Sequence, residues 1–310
     1  MSEIERTAIL GAGVIGASWA ALFLASGRSV TVFDPDPNAE ASVRKYIEKA
    51  WPALEELGQV GHATRDAITF APTAAEAVRN AQFIQENVPE RLPIKHSIYA
   101  EVEPELGADA IVSSSTSGLT LEALQQGWRD PSKLILGHPF NPPHLIPLVE
   151  LTANDATGSD VLNRTETFYE DLGKVTIRIK KGMPGHVANR LQAAVWREAV
   201  HMAIEGVASV EDIDKAMWAG PGLRWAAMGP TTLFHLGAGD GGLRAFCDHF
   251  KDTFNGWWDD LGNPRLDEDV INKLVDGIND QTQGQSTEEL SAQRDKMLTA
   301  MQKATQHLRT

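Results

Sequence analysis

Residues 6–34, "RTAILGAGVIGASWAALFLASGRSVTVFD", decide the fold of this 310-residue chain. They begin as a short apolar strand and pass through a glycine-rich turn into a run with the apolar spacing of a helix. The last six residues, "SVTVFD", are rich in β-branched and aromatic side chains and predict a second strand. A strand–helix–strand unit of this length predicts two parallel strands joined by a right-handed crossover.

Outward from this unit the strand pattern continues and then stops. Helical stretches separate most of the later strand-like segments, so residues 1–183 predict an α/β, Rossmann-like doubly wound domain. The long amphipathic run "HVANRLQAAVWREAVHMAIEGVAS" follows, and residues 184–310 predict an all-helical domain for substrate binding and dimerisation. Ser286 and Glu289 form a capping box that predicts the start of a terminal helix. The further predicted strands are "AQFIQENV" (81–88), "AIVSSST" (110–116), "LILGHPF" (134–140) and "VTIRI" (175–179).

The charge balance narrows the classes of partner. With 42 acidic and 28 basic side chains the formal net charge is −14, which argues against nucleic acid or an anionic membrane as the main partner. One cysteine excludes an intrachain disulfide and favours a reducing compartment. No signal peptide and no apolar stretch of about 20 residues is visible, so we expect a cytoplasmic location.

The motif "GAGVIG" at 11–16 predicts a dinucleotide site. It follows a strand, opens a helix, and precedes Asp34 at the end of the next strand. Gly11 suits the tight turn, Gly13 lets the backbone approach a pyrophosphate, and Gly16 lets helix and strand pack closely. The helix N-terminus attracts the phosphates, and a carboxylate at Asp34 favours NAD over NADP. Two arginines, Arg28 and Arg44, leave NADP as the alternative.

The histidine of "GHPFNPP" (137–143) lies where a predicted parallel strand ends. Ligands of open α/β sheets bind beyond the carboxyl ends of the strands. His138 is therefore a candidate general base for a hydroxyl proton, with Glu150 to orient its ring. Ser117 and Asn189 are candidates for stabilising the substrate oxygen. On residue types alone, a histidine that merely ends a strand is an equal alternative.

Four segments in this order, the glycine motif, "SSSTSGL", "HPFNPPHLIPLVEL" and "MPGHVANRLQ", resemble the 3-hydroxyacyl-CoA dehydrogenase superfamily over nearly the whole chain. The resemblance implies an NAD-dependent dehydrogenase that is a homodimer through its C-terminal half. It also implies the roles of the candidate residues. The catalytic set would be Ser117, His138, Glu150 and Asn189, and NAD would contact Gly11, Gly13, Val14, Ile15, Gly16, Asp34, Glu90, Lys95 and Ser115.

Two groups within that superfamily share further stretches with this chain. "IQENVPERL", "VWREAV" and "GLRWAAMG" resemble the L-carnitine dehydrogenases, whereas "NPPHLIPLVEL" and "MGPTTLFHL" resemble the L-gulonate 3-dehydrogenases, which include lambda-crystallin. The expected reaction is oxidation of a short 3-hydroxy acid with a free carboxylate to the 3-oxo acid. A 3-hydroxyacyl-CoA dehydrogenase and a crystallin-like, non-enzymatic NADH-binding protein are the alternatives.

The substrate hypothesis depends on two regions. The acyl-CoA enzymes of the family carry a lysine-rich helical insertion after the second strand, but residues 38–62 here are of mixed charge. Arg224, in "GPGLRWAAMGP", is a candidate to bind a carboxylate, with an interdomain or dimer salt bridge as the alternative. Aromatic side chains at Phe140, Trp196, Trp218 and Trp225 are candidates for contact with a trimethylammonium group. The histidines lack metal-ligand spacing, so no metal is expected.

Overall fold

The computed structural model describes residues 4–61 and 64–308. Its internal contacts divide the described chain into two compact units. The first comprises residues up to Val187 together with the terminal segment from Glu288, and the second comprises Ala188–Thr287. Contacts thus group the terminal helix with the first unit. The predicted domain limits at residues 183 and 184 stay a prediction.

The first unit is built on one sheet of eight strands in the order β3-β2-β1-β4-β5-β6-β7-β8. The first six strands, β1 to β6, are parallel to one another. The next strand, β7, is antiparallel to β6, and β8 is parallel to β7. The order of the first six is that of a dinucleotide-binding fold, which confirms the predicted class. The strands are β1 Arg6–Leu10, β2 Ser29–Phe33, β3 Ile68–Phe70, β4 Phe83–Glu86, β5 Ile111–Ser114, β6 Leu134–Pro139, β7 Leu148–Thr152 and β8 Val175–Arg178.

Helices cover both faces of this sheet. One apolar cluster contains Trp19 and Phe23 with Phe168, and a second contains Tyr99 and Trp128. Helix α1 is buried along nearly its whole length, since it lies in the first cluster between the sheet and other helices. The helices of this unit are α1 Val14–Ala25, α2 Ala39–Glu56, α3 Ala74–Val78, α4 Leu92–Val102, α5 Leu121–Gln125, α6 Val161–Asp171 and the terminal helix α13 Thr287–Thr305.

The second unit is entirely helical within its described residues and buries little apolar surface. Its only hydrophobic side chains that the structure describes as buried are Val200 and Ile213, whereas Trp218 and Trp258 are each 64% exposed. Among the described residues of the chain, no helix is long and apolar enough to cross a bilayer. The helices are α7 Ala188–Ile204, α8 Val210–Ala219, α9 Pro221–Ala227, α10 Pro230–Gly237, α11 Gly242–Asp260 and α12 Glu268–Thr282.

A buried lysine ties down the loop between β6 and β7. The ammonium group of Lys174 donates to the carbonyl of Pro143 and, at 3.0 Å, to that of Ile146, and it lies 5.1 Å from the ring centroid of Trp19. Burial lowers the pKa of Lys174 from 10.5 to about 7. Because the folded pKa lies below the unfolded one, the folded state loses the proton first as the pH rises.

The free energy of unfolding should therefore increase with pH between about 7 and 10.5 through Lys174. We expect wild type to gain stability over Lys174→Met by as much as about 1.4 kcal/mol per pH unit in that window. Urea unfolding at a series of pH values measures this difference. Lys45→Met, at an exposed position of α2, is the control and should show the wild-type pH dependence. Identical slopes for wild type and Lys174→Met would contradict the assignment.

Candidate active site

The glycine loop joins β1 to α1, with each glycine in a different environment. Gly11 has a φ of +84°, and a Cβ there would lie 2.7 Å from the backbone of Asn87. A Cβ on Gly16 would lie 2.0 Å from the carbonyl oxygen of Gly11, so helix and loop meet without room for a side chain. A Cβ on Gly13 would meet no atom within 4 Å. The loop is therefore closed against the protein at two glycines and open at the third.

Asp34 lies directly beside this loop. Its carboxylate accepts a hydrogen bond of 2.7 Å from the amide of Ala12 and one of 2.9 Å from the amide of Asp36. The carboxylate is thus fixed at the end of β2, 22 residues along the chain from Ala12. This is the position from which a carboxylate reaches the ribose of a bound dinucleotide.

The loop and the start of α1 fit the pyrophosphate of NAD. Gly13 is the N-cap of α1 and gives the helix no side-chain cap, so the first amides of the helix remain available to an anion. Val14 is 61% exposed, beside the open space at Gly13. The residues that would hold the cofactor here are Gly11, Gly13, Val14, Ile15, Gly16 and Asp34.

The two arginines that left NADP open are both engaged elsewhere. Arg28 is buried, and its guanidinium donates to the carbonyls of Ile4 and Ser26. Arg44 pairs with Glu40 at 2.9 Å on the surface of α2. The guanidinium of Arg28 is buried and the charge of Arg44 is partly balanced by Glu40, which favours NAD over NADP.

We expect kcat/KM with NAD to exceed that with NADP by at least about tenfold, a difference of ~1.4 kcal/mol. The Asp34 carboxylate accepts hydrogen bonds from ribose hydroxyls but repels a phosphate. Asp34→Asn should narrow the ratio, because the amide removes the like-charge repulsion, while Asp36→Asn, its neighbour in the same turn, should not. Steady-state kinetics with both dinucleotides test this. Equal activity of wild type with NADP would refute it.

Glu90 holds the loop that carries the predicted Ser117. Its Oε1 accepts hydrogen bonds from the hydroxyl of Thr116, from the amide of Ser117 at 2.9 Å and from the amide of Gly118 at 2.7 Å. Burial alone would raise the pKa of Glu90, but these hydrogen bonds and the charge of Lys95 lower it below its usual range. An ionised Glu90 therefore fixes the backbone beyond β5.

Lys95 is 1% exposed, and it meets a carboxylate that the sequence analysis did not single out. Its ammonium donates to Glu86 Oε1 at 2.7 Å and to the carbonyl of Val88 at 3.2 Å. The second oxygen of Glu86 accepts from Tyr99 at 2.7 Å and from Ser114 at 2.6 Å. The pair ties the ends of β4 and β5 to α4. A carboxylate within the predicted strand "AQFIQENV" was the available signal.

Ser115 belongs to the same network. Its hydroxyl donates to Asn87 Oδ1 at 2.7 Å and accepts from the side-chain amide of Gln85 at 2.9 Å. Asn87 is also the residue whose backbone approaches Gly11. Ser115, the glycine loop and the end of β4 thus lie at the same edge of the sheet. Contact of Ser115, Glu90 and Lys95 with the cofactor stays a prediction.

The structure brings His138 and Glu150 together. They are direct partners in the antiparallel pairing of β6 with β7, although Glu150 stands 12 positions after His138 in the sequence. His138 Nδ1 lies 2.8 Å from Glu150 Oε2, and the side chains are 7% and 0% exposed. The carboxylate accepts the Nδ1 proton, which leaves Nε2 as the acceptor of a neutral imidazole. The pair therefore has the geometry of a general base with its orienting carboxylate.

A segment just before the second unit also reaches this pair. The amide of Val187 donates to Glu150 Oε1 at 2.9 Å, so both oxygens of the carboxylate are bonded. The preceding residue, His186, is buried, and its ring centroid lies 5.1 Å from that of His138. In the sequence analysis the other histidines, His186 among them, were considered only as possible metal ligands. The available signal for a role at the active site was its position three residues before Asn189, in the segment "MPGHVANRLQ".

The remaining predicted site residues belong to the second unit. Asn189 is the second residue of α7, and Arg224 lies in α9, where it is exposed. No carboxylate among the described residues lies within 4 Å of the Arg224 guanidinium, so the structure contains no intrachain salt bridge there. Over residues 4–61 and 64–308, no group of three or more histidine, cysteine or carboxylate side chains is arranged to hold a metal ion.

Comparison with protein families finds matches over both parts of the chain. Residues 6–182 match the family model of the 3-hydroxyacyl-CoA dehydrogenase, NAD binding domain. Residues 185–274 match that of the 3-hydroxyacyl-CoA dehydrogenase, C-terminal domain.

Individual relatives cover nearly the whole chain. The L-carnitine dehydrogenase of Nocardiopsis dassonvillei is 43% identical over 301 residues, 97% of this chain and 92% of that protein. The L-carnitine dehydrogenase of Streptomyces coelicolor is 42% identical over 306 residues, 99% of this chain and 96% of that protein. Among solved structures, 5-formyl-3-hydroxy-2-methylpyridine 4-carboxylic acid 5-dehydrogenase, an NAD⁺-dependent dismutase, superposes with a TM-score of 0.84 at 29% identity, over 98% of this chain and 99% of that one.

Proposed function

This chain belongs to the 3-hydroxyacyl-CoA dehydrogenase family, and we propose that its substrate is a short 3-hydroxy acid with a free carboxylate, L-carnitine being the first candidate. It is an NAD-dependent oxidoreductase that oxidises the secondary hydroxyl of a 3-hydroxy acid to the 3-oxo acid. The observation that carries the proposal is the buried His138–Glu150 pair at the edge of the sheet that also carries the glycine loop. Curated relatives named L-carnitine dehydrogenase, at 38–43% identity, support the substrate class.

The proton chemistry follows from the geometry of this pair. His138 Nε2 accepts the hydroxyl proton of the substrate as the C–H bond breaks. The imidazole then carries a positive charge, and Glu150, 2.8 Å from Nδ1, stabilises that charge. Bound NAD would accept the hydride from the carbon that carries this hydroxyl group. A structural protein on this fold would need none of these groups, which argues against a crystallin-like role.

Two further residues have proposed roles at the substrate oxygen. Ser117 follows β5 and is held by Glu90, and β5 neighbours the strand that carries His138. Asn189 belongs to the second unit. We assign both to hydrogen bonds with the substrate oxygen, in the roles that the family resemblance implies.

The surface of α2 supports a free acid over a CoA thioester. Arg44 pairs with Glu40, and Lys49 lies 3.6 Å from Glu288. Carboxylates beside these basic side chains reduce the positive potential that the phosphates of CoA would meet. Arg224 faces no carboxylate within 4 Å among the described residues, and we propose that it binds the carboxylate of the substrate. Trp225, 38% exposed beside it in α9, offers an aromatic face to a trimethylammonium group.

NADH formation over a panel of substrates tests this proposal. The panel contains L-carnitine, L-gulonate, 3-hydroxybutyrate and 3-hydroxybutyryl-CoA, each at several concentrations with saturating NAD. We expect the highest kcat/KM with a free acid, and with L-carnitine among the acids. A preference for the CoA thioester over every free acid would overturn the substrate class, and no turnover of any compound would overturn the enzymatic function.

We also propose a homodimer through the second unit. An α-helical unit that buries only Val200 and Ile213 among its described hydrophobic side chains needs a further surface to cover its tryptophans. Light scattering at micromolar concentration should give twice the monomer mass, and Trp258→Asp should lower it. Val175→Asp, at an exposed apolar position of β8, is the matched control and should leave the mass unchanged. A monomeric wild type would contradict the dimer.

A further inference from the structure

His186 occupies an unfavourable backbone conformation. Its φ is +50°, in the left-handed region, and Gly185 before it has a φ of +76°. A glycine adopts this region freely, but a histidine adopts it at a cost of about 1 kcal/mol or more. The two residues bend the chain so that the histidine side chain is buried, with 6% of the residue exposed.

The imidazole of His186 is buried and poorly satisfied. Neither ring nitrogen makes a hydrogen bond of regular geometry with any described group of the protein, although the carbonyl of Thr116 is near enough to raise the pKa of the ring. The other two buried histidines of the described chain are bonded, His138 to Glu150 and His144 to Ser18, each at 2.8 Å. An unsatisfied buried polar group costs about 1–3 kcal/mol, so its presence calls for a group that satisfies it during function.

His186 lies beside the two residues to which the proposed function assigns the proton transfer. Its ring centroid lies 5.1 Å from that of His138, and the next residue donates to Glu150. Burial is the largest cause that lowers the pKa of His186, and the charge of His138 lowers it further. The carboxylates of Glu150 and Glu90 and the carbonyl of Thr116 raise it, but by less. The ring is therefore neutral near pH 7 and offers one N–H donor.

We propose that His186 contacts the substrate and donates a hydrogen bond from its imidazole to the oxygen on the carbon that is oxidised. This oxygen is the substrate atom that gives its proton to His138, and the His186 ring, whose centroid lies 5.1 Å from that of His138, is within reach of an atom bound there. The substrate oxygen gains negative charge as His138 takes the proton, and an N–H donor stabilises that charge. Because its pKa is lowered, the His186 ring is a poor proton acceptor and acts as a donor. This assignment rests on the proposed function.

The test compares substrates with and without the oxygen. His186→Phe keeps a ring of similar size without a donor, and His186→Asn keeps a donor in a residue that tolerates positive φ. We expect kcat/KM for the 3-hydroxy acid to fall about 10- to 100-fold in His186→Phe, with part of the loss restored in His186→Asn. The inhibition constant of the matching 3-deoxy acid and the dissociation constant of NADH should stay within about twofold of wild type, since neither involves that oxygen.

His96→Phe is the matched control, because it removes a half-buried imidazole of the first unit that bonds only to the carbonyl of Ala123. It should retain wild-type kinetics. Thermal unfolding identifies a His186→Phe protein that fails to fold, and His186→Asn then decides. Wild-type kcat/KM in both folded variants, or a 3-deoxy acid weakened as much as the 3-hydroxy acid, would overturn the role of His186 alone. No turnover by wild type would instead overturn the proposed function and this inference with it.

Discussion

Replacing His138 with asparagine should lower the turnover number by about two to four orders of magnitude, the range expected for loss of a positioned general base. Asparagine fits the space and can still bond to Glu150, but it cannot accept the hydroxyl proton. Binding of NADH should survive, because the substitution leaves the glycine loop and its hydrogen bond to Asp34 unchanged. Single-turnover kinetics with the best substrate of the panel, and fluorescence titration with NADH, measure the two quantities.

A second variant separates the proton transfer from packing. Glu150→Gln keeps the size of the side chain but removes the charge that stabilises the imidazolium, so it should also lower turnover, while His96→Asn should not. Full turnover by a folded His138→Asn protein would mean that His138 only ends a strand. A normal fold for that protein, shown by its circular dichroism and melting temperature, is needed for either conclusion.

The parts of the fold that the sequence predicted depend on local signals. The span from β1 to β2 combines strand patterning, glycines in fixed positions and a carboxylate at a strand end, all within about 30 residues. Strands β4, β5, β6 and β8 were predicted as short runs of apolar or β-branched residues, whereas β7 was not among the predicted strands. The three-residue β3, Ile68–Phe70, is too short to show any periodicity, and pairing with β2 defines it.

The parts that could not be predicted depend on contacts distant in sequence. Lys95 is an ordinary helix lysine until the fold places it against Glu86 in a buried network. The terminal helix looks like the end of the helical half, yet Gln302 donates to the carbonyl of Leu145, 157 residues earlier. His186 resembles any loop histidine, and only the pairing of β6 with β7 brings His138 and Glu150 beside it. The pairing of His138 with Glu150 was predictable because residue types, order and family resemblance agree.

Arg224 is the residue that we propose to bind the carboxylate of a free acid. It lies in the seven-residue helix α9, which begins with Pro221 after Gly220, so the backbone fixes its position closely. Its guanidinium has no carboxylate within reach among the described residues, and a salt bridge to a second copy of the chain is the remaining structural explanation. A planar guanidinium binds a carboxylate through two parallel hydrogen bonds, which suits it to a short acid.

Arg224→Met should raise the KM for 3-hydroxy acids by an amount worth ~2–4 kcal/mol, which is roughly 30- to 1000-fold, because it removes a charge-assisted pair that the bound substrate would shield from water. Arg224→Lys should restore only part of the affinity, since an ammonium group cannot present two parallel donors. Steady-state kinetics for each variant give KM, and a fluorescence titration should show unchanged NADH binding.

Arg265→Met, at an exposed arginine between α11 and α12, is the control for the loss of one positive charge and should leave KM unchanged. Light scattering on Arg224→Met distinguishes the two roles. If Arg224 binds the carboxylate, the substitution changes KM and leaves the mass of the assembly as in wild type. If Arg224 forms a salt bridge between two subunits, the substitution lowers the mass of the assembly, and the mass then depends on protein concentration. Normal turnover of hydroxy acids by Arg224→Met would exclude the carboxylate contact, and Arg224 would then be a structural residue of the second unit.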